Sequence, residues 1–566
     1  MGDMTIPAED PATTPFRRVA DRVPGPPVVV VGAGPVGTTT ALLMARWGLD
    51  VVVLDARAER EPIGSKALCQ ARDVLDVWRS VGAGAALAAE GVTWTTARTY
   101  YRDAEISSWS FVDSGASPLP PYVNIGQNRS EAVLDLRVAA ANADQPGSID
   151  VRWGVGVAGL EQDGAGVTLH LHDGSMLRAP FVLLATGARS DELRALLGLG
   201  FAGSTFDDRF LICDIRTELP GWEHERRFYF DPPWNPGRQV LIHPCPDSVY
   251  RIDWQVPDEY DLDADEASGG LDHRIRQIIG DRPYEVVWKS LYRFHSRRTE
   301  RMRLGRVLLA GDIAHLVSPF GARGLNTGVL DAENAAWKIA FVARGWAPES
   351  LLDSYDAERL AATVENIEVT TATMDFLVPQ NEVGRERRRA LLQAAATDPD
   401  AARRIDSGRF AEPFWYVDSP LTTTDPRRPF AGRPAKGQAP PPGPGILVPD
   451  APVSVPGRPE ITQLREIARR GLLALTGAAV DAQEVAAALV GLPAPFEVHS
   501  AAVLDPSGRL AAMLGMAGEE IWLLRPDAYV AAVSRSPQEC RAAARRCLGA
   551  VDRDVALTAA LGTGAA

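Results

Sequence analysis

The chain has 566 residues, of which 46% are hydrophobic and 23% charged, and its formal net charge is −14 at pH 7. This composition is typical of a globular protein of roughly two or three domains and excludes a disordered chain or a coiled coil. The acidic balance disfavours non-specific binding to DNA or RNA, which depends on basic side chains that neutralise phosphates. The five cysteines are scattered without a CxxC pair. They indicate a reducing compartment, and we expect a cytoplasmic location.

The start of the chain carries no pattern of a leader or an anchor. Residues 1–26 are polar and contain prolines, so we expect a flexible arm there. The apolar stretch PPVVVVGAG is far shorter than the roughly 20 residues that a membrane-spanning helix needs. We therefore expect no membrane partner and no nucleic-acid partner.

Residues 27–55 predict a strand, a helix and a second strand. PVVVVGAG is a β-branched run, typical of a strand buried on both faces of a parallel sheet. GAGPVGTTTALLMARWG follows with apolar residues at helical spacing, and LDVVVLDA is a second buried run that ends at Asp55. Together they predict a βαβ unit.

A GxGxxG motif lies in the turn between the first predicted strand and the helix. Gly32 permits the tight turn, Gly34 lets a pyrophosphate approach the backbone, and Gly37 lets the helix pack on the strand. The carboxylate of Asp55 is placed to accept from a ribose hydroxyl. The unit predicts a dinucleotide site without distinguishing FAD from NAD, and tight helix–sheet packing without a ligand is the alternative. The predicted contacts are Gly32, Gly34, Pro35, Val36, Gly37, Asp55, Ala56 and Arg57.

The rest of the chain divides by pattern. Residues 56–200 mix helices and strands, and residues 205–300 are β-patterned, which predicts a sheet that covers a ligand. Helices then dominate to about residue 410. Residues 431–446, AGRPAKGQAPPPGPGI, predict a linker. Residues 447–566 alternate short strands and helices and predict a second, smaller α/β domain.

Residues 305–340 carry the most specific motif. The sequence GRVLLAGDIAHLVSPFGARGLNTGVLDAENAAWKIA predicts a strand, a proline- and glycine-containing turn and a long helix. It resembles the second FAD signature of the flavin-dependent aromatic hydroxylases, the p-hydroxybenzoate hydroxylase and phenol hydroxylase superfamily. The matching residues are Gly311, Asp312, Ala314, His315, Pro319, Gly321, Gly324, Asn326, Gly328, Asp331, Asn334, Trp337 and Lys338.

The resemblance implies a fold and cofactors. It covers roughly residues 27–430 and implies a Rossmann-type FAD-binding domain with an inserted mixed β-sheet, at about 90–125 and 205–300. FAD is the implied cofactor, with NADPH or NADH as co-substrate and no metal. Residues 447–566 resemble the thioredoxin-like C-terminal domain of the phenylpropionate hydroxylase branch, without a redox cysteine pair. We expect this domain to be structural or to support a homodimer.

The resemblance also assigns residue roles. It implies that Asp312 binds the ribityl or pyrophosphate region, that the helix N-terminus at 324–328 faces the flavin N1 and O2 edge, and that the carbonyl of catalytic Pro319 lies near C4a. A positive helix end would stabilise the reduced flavin. We expect a structural role for His315. The further implied cofactor contacts are Lys66, Gln127, Gly187, Asp312, Pro319, Gly324, Leu325 and Asn326.

Four positions depart from the family pattern. Thr186 stands where the family has an acid that helps to hold FAD and the nicotinamide donor. Ala322 and Arg323 replace the usual glycine and glutamine, and a charged Arg323 beside the flavin would alter substrate access. Lys66 stands where this branch often has arginine, so the planar fork is lost.

The implied activity is hydroxylation of a phenolic or other small aromatic substrate with O2, through a flavin C4a-hydroperoxide. We expect the substrate between the sheet and the flavin, with Tyr229, His243, Arg251 and Trp254 placed to line the pocket. A Baeyer–Villiger or other atypical flavin oxygenase acting on a polyketide-like aromatic is one alternative. A non-enzymatic flavin-binding protein is another. The sequence does not identify the substrate or decide between NADH and NADPH.

Overall fold

The computed structural model describes residues 10–550 apart from 65, 112–114, 406–407 and 436–437, with the side chains of 207 and 208 also excepted. Residues 1–9 of the expected arm and 551–566 of the expected second domain lie outside the described residues. The start of the described chain is packed, since Phe16 is 5% exposed and Arg137 donates to the carbonyls of Pro11 at 2.7 Å and Thr14 at 2.6 Å. The expectation of a flexible arm is therefore wrong for residues 10–16, because the buried guanidinium of Arg137 takes these carbonyls as acceptors.

The strands and helices occupy most of the described chain. The strands are β1 (Val28–Val31), β2 (Val51–Asp55), β3 (Cys69–Ala71), β4 (Thr96–Tyr101), β5 (Ala104–Ser110), β6 (Tyr122–Asn124), β7 (Ile149–Trp153), β8 (Val157–Gln162), β9 (Val167–Leu171), β10 (Met176–Ala179), β11 (Val182–Leu184), β12 (Ala202–Arg216), β13 (Glu225–Phe230), β14 (Gln239–Cys245), β15 (Val249–Val256), β16 (Glu285–Arg298), β17 (Arg303–Leu304), β18 (Val307–Leu309), β19 (His315–Leu316), β20 (Leu472–Thr476), β21 (Phe496–Ser500), β22 (Ile521–Leu524) and β23 (Val530–Ser534). The α-helices are α1 (Pro35–Arg46), α2 (Arg72–Arg79), α3 (Gly84–Glu90), α4 (Gln127–Asp144), α5 (Asp191–Leu196), α6 (Leu262–Ala267), α7 (Gly270–Ile279), α8 (Arg323–Ala343), α9 (Asp353–Leu377), α10 (Glu382–Ala395), α11 (Pro399–Arg403), α12 (Leu464–Ala468), α13 (Ala482–Leu489), α14 (Ala501–Leu504), α15 (Arg509–Leu514) and α16 (Pro537–Cys547). Short 3-10 helices lie at Gly311–Ile313 and Glu349–Leu352.

A six-stranded sheet has the order β17-β18-β11-β1-β2-β7 and is parallel except at the short edge strand β17. The predicted strand–helix–strand unit is confirmed as β1, α1 and β2, and every residue of both strands is buried. Helix α1 packs on α8 and buries polar threonines. Thr39 and Thr40 donate their hydroxyls one turn back, to the carbonyls of Pro35 at 2.6 Å and Val36 at 2.9 Å. This pairing satisfies the hydroxyls inside the packed interface.

The sheet predicted for residues 205–300 is present as part of a larger one. Its eight strands have the order β19-β16-β12-β15-β14-β13-β4-β5, antiparallel except for the parallel β4–β13 pair. On one face Ile252 and Trp254 pack against Ile275 of α7. On the opposite face, called the inner face below, Phe228 packs in an aromatic cluster with Phe320. Phe320 belongs to the segment between β18 and α8. The inner face is therefore the one directed at the predicted cofactor segment.

Residues beyond 447 contain a four-stranded sheet of order β21-β20-β22-β23, in which only β20 and β21 are parallel. Buried ion pairs join it to α8 and α9. Arg525 donates to Glu358 at 2.5 and 2.9 Å, and Lys338 donates to the same carboxylate at 2.6 Å. Two small sheets, β10-β9-β8 and β3-β6, complete the fold. Among the described helices, none combines the length and apolar character that crossing a membrane requires.

Candidate functional site

The three glycines of the GxGxxG motif have different surroundings. A Cβ at Gly32, whose φ is +108°, would lie 2.3 Å from the carbonyl oxygen of Ala185. A Cβ at Gly37 would lie 1.8 Å from the carbonyl oxygen of Gly32. A Cβ at Gly34 would meet no atom within 4 Å. Gly32 and Gly37 thus permit close packing, while Gly34 leaves open space at the N-terminus of α1, where phosphates bind in such motifs.

Asp55 closes the loop that carries these glycines. Its carboxylate accepts from the backbone N–H of Ala33 at 2.8 Å and of Arg57 at 2.9 Å, and the Arg57 guanidinium binds it as well. Burial raises the pKa of Asp55, but the bonds from Arg57 and Ala33 outweigh burial and hold the pKa below its ordinary value. Asp55 is therefore ionised and fixes the loop. A ribose hydroxyl bound to Asp55 would share the carboxylate oxygens with Arg57. Ala56, between these two residues, is exposed.

The two predicted cofactor segments meet in space. A Cβ at Gly328 of α8 would lie 2.7 Å from Cγ2 of Val36 in α1. Asp331, one turn further along α8, accepts from the N–H of Gly311 at 2.9 Å and from Nε2 of His315 at 2.7 Å. This buried carboxylate fixes the turn after β18, and the buried side chain of His315 is one of its hydrogen-bond partners. The N-termini of α1 and α8 are thereby brought to neighbouring positions.

Asp312 lies in the same turn with its carboxylate accessible to solvent. Within the described part of the chain it has no hydrogen-bond or ion-pair partner. The surrounding protein desolvates the carboxyl and raises its pKa above the ordinary value, and Asp331 adds to the increase, whereas His315 and Lys66 oppose it. Because this carboxylate is accessible and has no partner among the described residues, it is available to a ligand.

The N-terminus of α8 is also available. The helix follows Ala322, whose φ of +56° and ψ of +39° are left-handed, and no side chain caps it. The carbonyl of Pro319 accepts from the N–H of Ala322 at 2.8 Å and closes a four-residue turn. Gly324 and Leu325 lie in the first helical turn, where amides lack intrahelical partners. The positive end of the helix is therefore open to a ligand.

Asn326 is predicted as a cofactor contact, but its side chain is engaged elsewhere. Its Nδ2 donates to the carbonyl of Cys69 at 2.9 Å, and its Oδ1 accepts from the N–H of Ala71 at 2.9 Å. The side chain thus fixes β3 against α8, and a cofactor contact at this position would come from the backbone. The role of β3 is not visible in the sequence, because no local pattern links residues that lie 255 positions apart.

Gln127 binds the segment that carries Lys66, and this segment lies near Asp312. Gln127 Oε1 accepts from the N–H of Ala67 at 3.3 Å, and its Nε2 donates to Glu131 at 2.9 Å. Lys66 is exposed, and its charge acts on Asp312. The first residue of α4 therefore holds the Lys66 segment beside the turn after β18.

Thr186, which stands where the family has an acid, has a hydrogen-bond partner for its hydroxyl within its own turn. Its hydroxyl lies 2.7 Å from the hydroxyl of Ser190, which in turn donates to the carbonyl of Gly187 at 2.8 Å. Gly187 has a φ of +78°, and a Cβ there would meet no atom within 4 Å. The segment is a closed turn with open space at Gly187.

The side chain of Arg323, expected beside the flavin, is buried at the start of α8. It is 1% exposed and donates to Asn366 Oδ1 at 2.6 Å and to the carbonyl of Phe410 at 3.0 Å. Burial lowers its pKa to about 10. The guanidinium binds the start of α8 to α9 and to the segment at 410, and an effect of Arg323 on substrate access stays a prediction.

Polar side chains cross the inner face of the eight-stranded sheet in register. His243 on β14 pairs with Arg251 on β15, which pairs with Asp214 on β12. Arg226 on β13 continues the row, one position from the Arg227–Ile242 pair. We call these four residues the polar row; each is less than 10% exposed. Arg251 binds both oxygens of Asp214, at 2.8 and 3.1 Å, and reaches the carbonyl of Lys66 at 3.5 Å. The polar row thus borders the cofactor segment.

Two of the four residues predicted to line a substrate pocket face away from it. His243 and Arg251 lie on the inner face, but Trp254 is fully buried on the opposite face. Tyr229 also belongs to that face and stacks on Tyr100 with ring centroids 4.6 Å apart. The prediction is wrong for Tyr229 and Trp254, because side chains alternate along a strand and the sequence does not show which face is inner.

Comparison with known proteins adds to this geometry. Residues 26–370, more than half of the chain, match the model of the FAD binding domain family. A flavin-dependent monooxygenase from Mycobacteroides abscessus is 31% identical over 367 residues, covering 61% of this chain and 73% of that protein. A 3-(3-hydroxy-phenyl)propionate/3-hydroxycinnamic acid hydroxylase from Mycobacterium sp. strain JLS is 29% identical over 396 residues, 68% of this chain and 66% of that protein.

Two further matches extend over nearly the whole chain. A 6-methylpretetramide 4-monooxygenase from Streptomyces rimosus is 29% identical over 539 residues and covers 90% of both chains. Among solved structures, the flavin-dependent monooxygenase PieE in complex with FAD and substrate superposes with a TM-score of 0.78 at 21% identity, over 93% of this chain and 100% of that chain. The structural match shows that the fold extends beyond the segment matched by the family model.

Proposed function

This chain belongs to the FAD-binding domain family, and we propose that it hydroxylates a phenolic or related aromatic substrate with O2, using FAD and NADPH or NADH. The observation that carries the proposal is the meeting of two open helix N-termini beside an unpaired carboxylate: α1 at Gly34, α8 after Ala322, and Asp312 between them. Backbone amides at a helix N-terminus suit a pyrophosphate, and a carboxylate suits sugar hydroxyls. The matched relatives named above are flavin-dependent monooxygenases or hydroxylases, which supports the same activity.

In this proposal the chain binds, orients and shields the reactants. When bound, FAD supplies the redox chemistry between the nicotinamide and O2. The amides around Gly34 would hold the phosphates, Asp312 would accept a hydrogen bond from a hydroxyl of the cofactor, and the positive N-terminus of α8 would stabilise the negative charge of the reduced flavin. The turn closed by the Pro319 carbonyl borders the reaction space, and the inner face of the eight-stranded sheet covers the substrate and excludes water.

The coverage of the relatives favours a substrate class. The match to the Streptomyces rimosus enzyme extends over 90% of both chains, whereas the Mycobacterium hydroxylase is covered over 66% of its length. We therefore favour a polycyclic, polyketide-like aromatic over a simple phenol. A Baeyer–Villiger oxygenase would act on the same class of compound. It would insert oxygen into a C–C bond beside a carbonyl, whereas a hydroxylase converts a ring C–H into C–OH.

We further infer the domain arrangement. Residues 27–430 would form the Rossmann-type FAD-binding domain with its inserted mixed sheet, 431–446 a linker, and 447–566 a thioredoxin-like domain. The order β21-β20-β22-β23, with one parallel pair, supports the last assignment. Cys540 and Cys547 are buried on one helix rather than in a CxxC pair, so the domain would be structural or support a homodimer in the cytoplasm.

The first test is the cofactor. The purified protein should carry FAD or take it up, with a flavin spectrum. Gly34→Val should release FAD, because the added side chain fills the space left for the pyrophosphate. Gly25→Val is the matched control, since a Cβ at Gly25 also meets no atom within 4 Å but lies outside the motif. A colourless protein that fails to take up FAD contradicts the proposal.

The second test is the reaction. A panel of simple phenols and polycyclic phenols should stimulate NAD(P)H consumption and O2 uptake, with a product heavier by one oxygen atom. Labelling with 18O2 and fragmentation of the product separate ring hydroxylation from oxygen insertion into a C–C bond. NAD(P)H consumption that no substrate stimulates would favour the non-enzymatic flavin-binding alternative instead.

A further inference from the structure

A cavity lies away from the cofactor segments, where the turn between β13 and β14 meets the junction of α9 and α10. Its volume is about 510 Å³, which falls within the range of small-molecule sites, roughly 300–1,000 Å³. Among the described residues that line it, none belongs to the GxGxxG loop or to the motif at 311–328. The cavity is therefore a space that the proposed function does not use, and we call it the arginine cavity.

The lining of the arginine cavity carries positive charge. One guanidinium group comes from the β13–β14 turn and three come from α10; they belong to Arg238, Arg385, Arg388 and Arg389. Asp231 is the one carboxylate among the described lining residues, and it accepts from Arg102 at 3.2 Å. Arg385 binds Glu382 at 2.9 Å. These two ion pairs are neutral, so they leave the charge of the other arginines unbalanced.

Two of the arginines are available to a ligand. The guanidinium groups of Arg238 and Arg389 have no hydrogen bond, ion pair or ring contact within the part of the chain that the structure describes. Nε of Arg238 is nevertheless buried. A buried, charged donor without an acceptor is costly, so its place at a cavity indicates that a ligand supplies the acceptor.

Uncharged donors lie beside these arginines. Tyr101 lines the arginine cavity and is 6% exposed, and its hydroxyl has no hydrogen-bond partner among the described residues. Gln239 is 1% exposed; its Oε1 accepts from Arg388 at 3.0 Å, whereas its Nε2 has no partner among the described residues. Buried polar atoms are normally paired. These donors therefore indicate a ligand that accepts hydrogen bonds.

The opposite character is found on the helical wall. Leu377 and Val378, at the end of α9, and Leu392 of α10 line the arginine cavity and are buried in one cluster with Phe230. This apolar wall suits the organic part of a ligand whose charged group lies at the arginines.

The number and placement of the donors favour phosphate over carboxylate. Arg238 and Arg389 approach from separate elements, and a guanidinium group binds phosphate oxygens through its planar fork. A phosphate ester has three acceptor oxygens and a charge of about −1.5 to −2 at pH 7. A carboxylate has two oxygens and a single charge. The phosphate group thus balances both free arginines and leaves an oxygen for the hydroxyl of Tyr101.

We propose that the arginine cavity binds a phosphorylated small molecule, with Arg238 and Arg389 on its phosphate oxygens and the Tyr101 hydroxyl donating to one of them. This site goes beyond the proposed function, because the cofactor segments contribute nothing to its lining. Two sources share the required chemistry: the 2′-phosphate of NADPH and a separate phosphorylated compound.

Calorimetric titration of the FAD-loaded protein at constant ionic strength tests the proposal. The probes are adenosine 2′,5′-bisphosphate, 5′-AMP and inorganic pyrophosphate. We expect at least one of them to bind saturably. Tightest binding of the bisphosphate identifies the phosphate of NADPH, and tightest binding of either other probe identifies a separate phosphorylated ligand. If none of the three binds, the proposal is overturned.

Variants locate the binding. Arg238→Gln and Arg389→Gln should each raise the Kd of the bound probe about tenfold or more, because each removes a hydrogen bond between charged groups. Both side chains are at least partly exposed and bind no described residue, so the variants should fold. Tyr101→Phe, which removes only the hydroxyl, should weaken binding by a smaller factor.

Arg387→Gln is the matched control. Arg387 also lies exposed on α10 without a partner among the described residues, but it does not line the arginine cavity. Its replacement should leave the Kd unchanged. Wild-type affinity in both Arg238→Gln and Arg389→Gln, or an equal loss in Arg387→Gln, refutes the assignment. The readout is binding without turnover, so it is separate from the outcome of the hydroxylation assay.

Discussion

Replacement of Asp312 by alanine should act in opposite directions on cofactor affinity and on the stability of the cofactor-free protein. The carboxylate is unpaired within the described residues, and desolvation raises its pKa. Such a group resists ionisation in the folded state, so it opposes folding once the pH exceeds the ordinary pKa of the carboxyl. Asp312→Ala should therefore leave the free energy of unfolding of the FAD-free protein unchanged or slightly increased.

The same substitution should weaken FAD binding. A hydrogen bond to a charged acceptor contributes about 1.5–3 kcal/mol, which corresponds to about a 10- to 150-fold increase in Kd. Fluorescence titration of FAD into the apoprotein measures the Kd, and urea unfolding of the same preparations measures stability. Asp103→Ala, which removes an exposed carboxylate in the turn between β4 and β5, is the control and should change neither quantity. Unchanged FAD affinity in Asp312→Ala, or a loss of apoprotein stability that accounts for weaker binding, would refute the reasoning.

Three further substitutions test other parts of the structure. Pro319→Ala should keep FAD and its reduction, but should release more hydrogen peroxide and less product per NAD(P)H, because the turn closed by the Pro319 carbonyl loses its fixed φ; an unchanged product ratio means that the turn does not position the reaction. Glu358→Gln should lower the free energy of unfolding by about 3–5 kcal/mol, because it leaves the buried cation of Lys338 uncompensated and removes one of the two carboxylates that bind Arg525; a urea midpoint equal to that of the wild type would contradict the network. Asp253→Asn should remove a pH dependence: with a folded pKa of about 7 and an ordinary pKa of 3.8, wild-type Asp253 takes up a proton on folding between these pH values, so stability falls as the pH rises from about 4 to 7. Between pH 5 and pH 7 the variant should gain about 2–3 kcal/mol relative to the wild type in urea unfolding. Parallel pH profiles of the two proteins would show that the pKa of Asp253 is not raised by burial and by Asp214 against the opposing charges of Arg251 and Arg226.

Local sequence was sufficient for the cofactor segments. The run of valines before Gly32 is β-branched and apolar throughout, which only a strand covered on both faces accommodates. Gly37 is required by an atom within the same unit, because a Cβ there would meet the carbonyl oxygen of Gly32. The motif at 311–328 likewise places its turn and helix by short-range contacts, among them the Asp331 bonds to Gly311 and His315. Interactions that span about twenty residues leave a readable spacing.

Only the tertiary structure decided which side chains meet from distant parts of the chain. Asn326 binds β3, Arg323 binds the segment at Phe410, and Glu358 binds Arg525, which lies 167 residues further on. The faces of the eight-stranded sheet were also undecided, since alternation separates two sets of residues without showing which set is inner. Trp254 was therefore misplaced, and the row from Arg226 to Asp214 was not recognised. The physical reason is that charge pairing and burial depend on which surfaces come together, and the packing of sheets and helices determines this only after each element has formed.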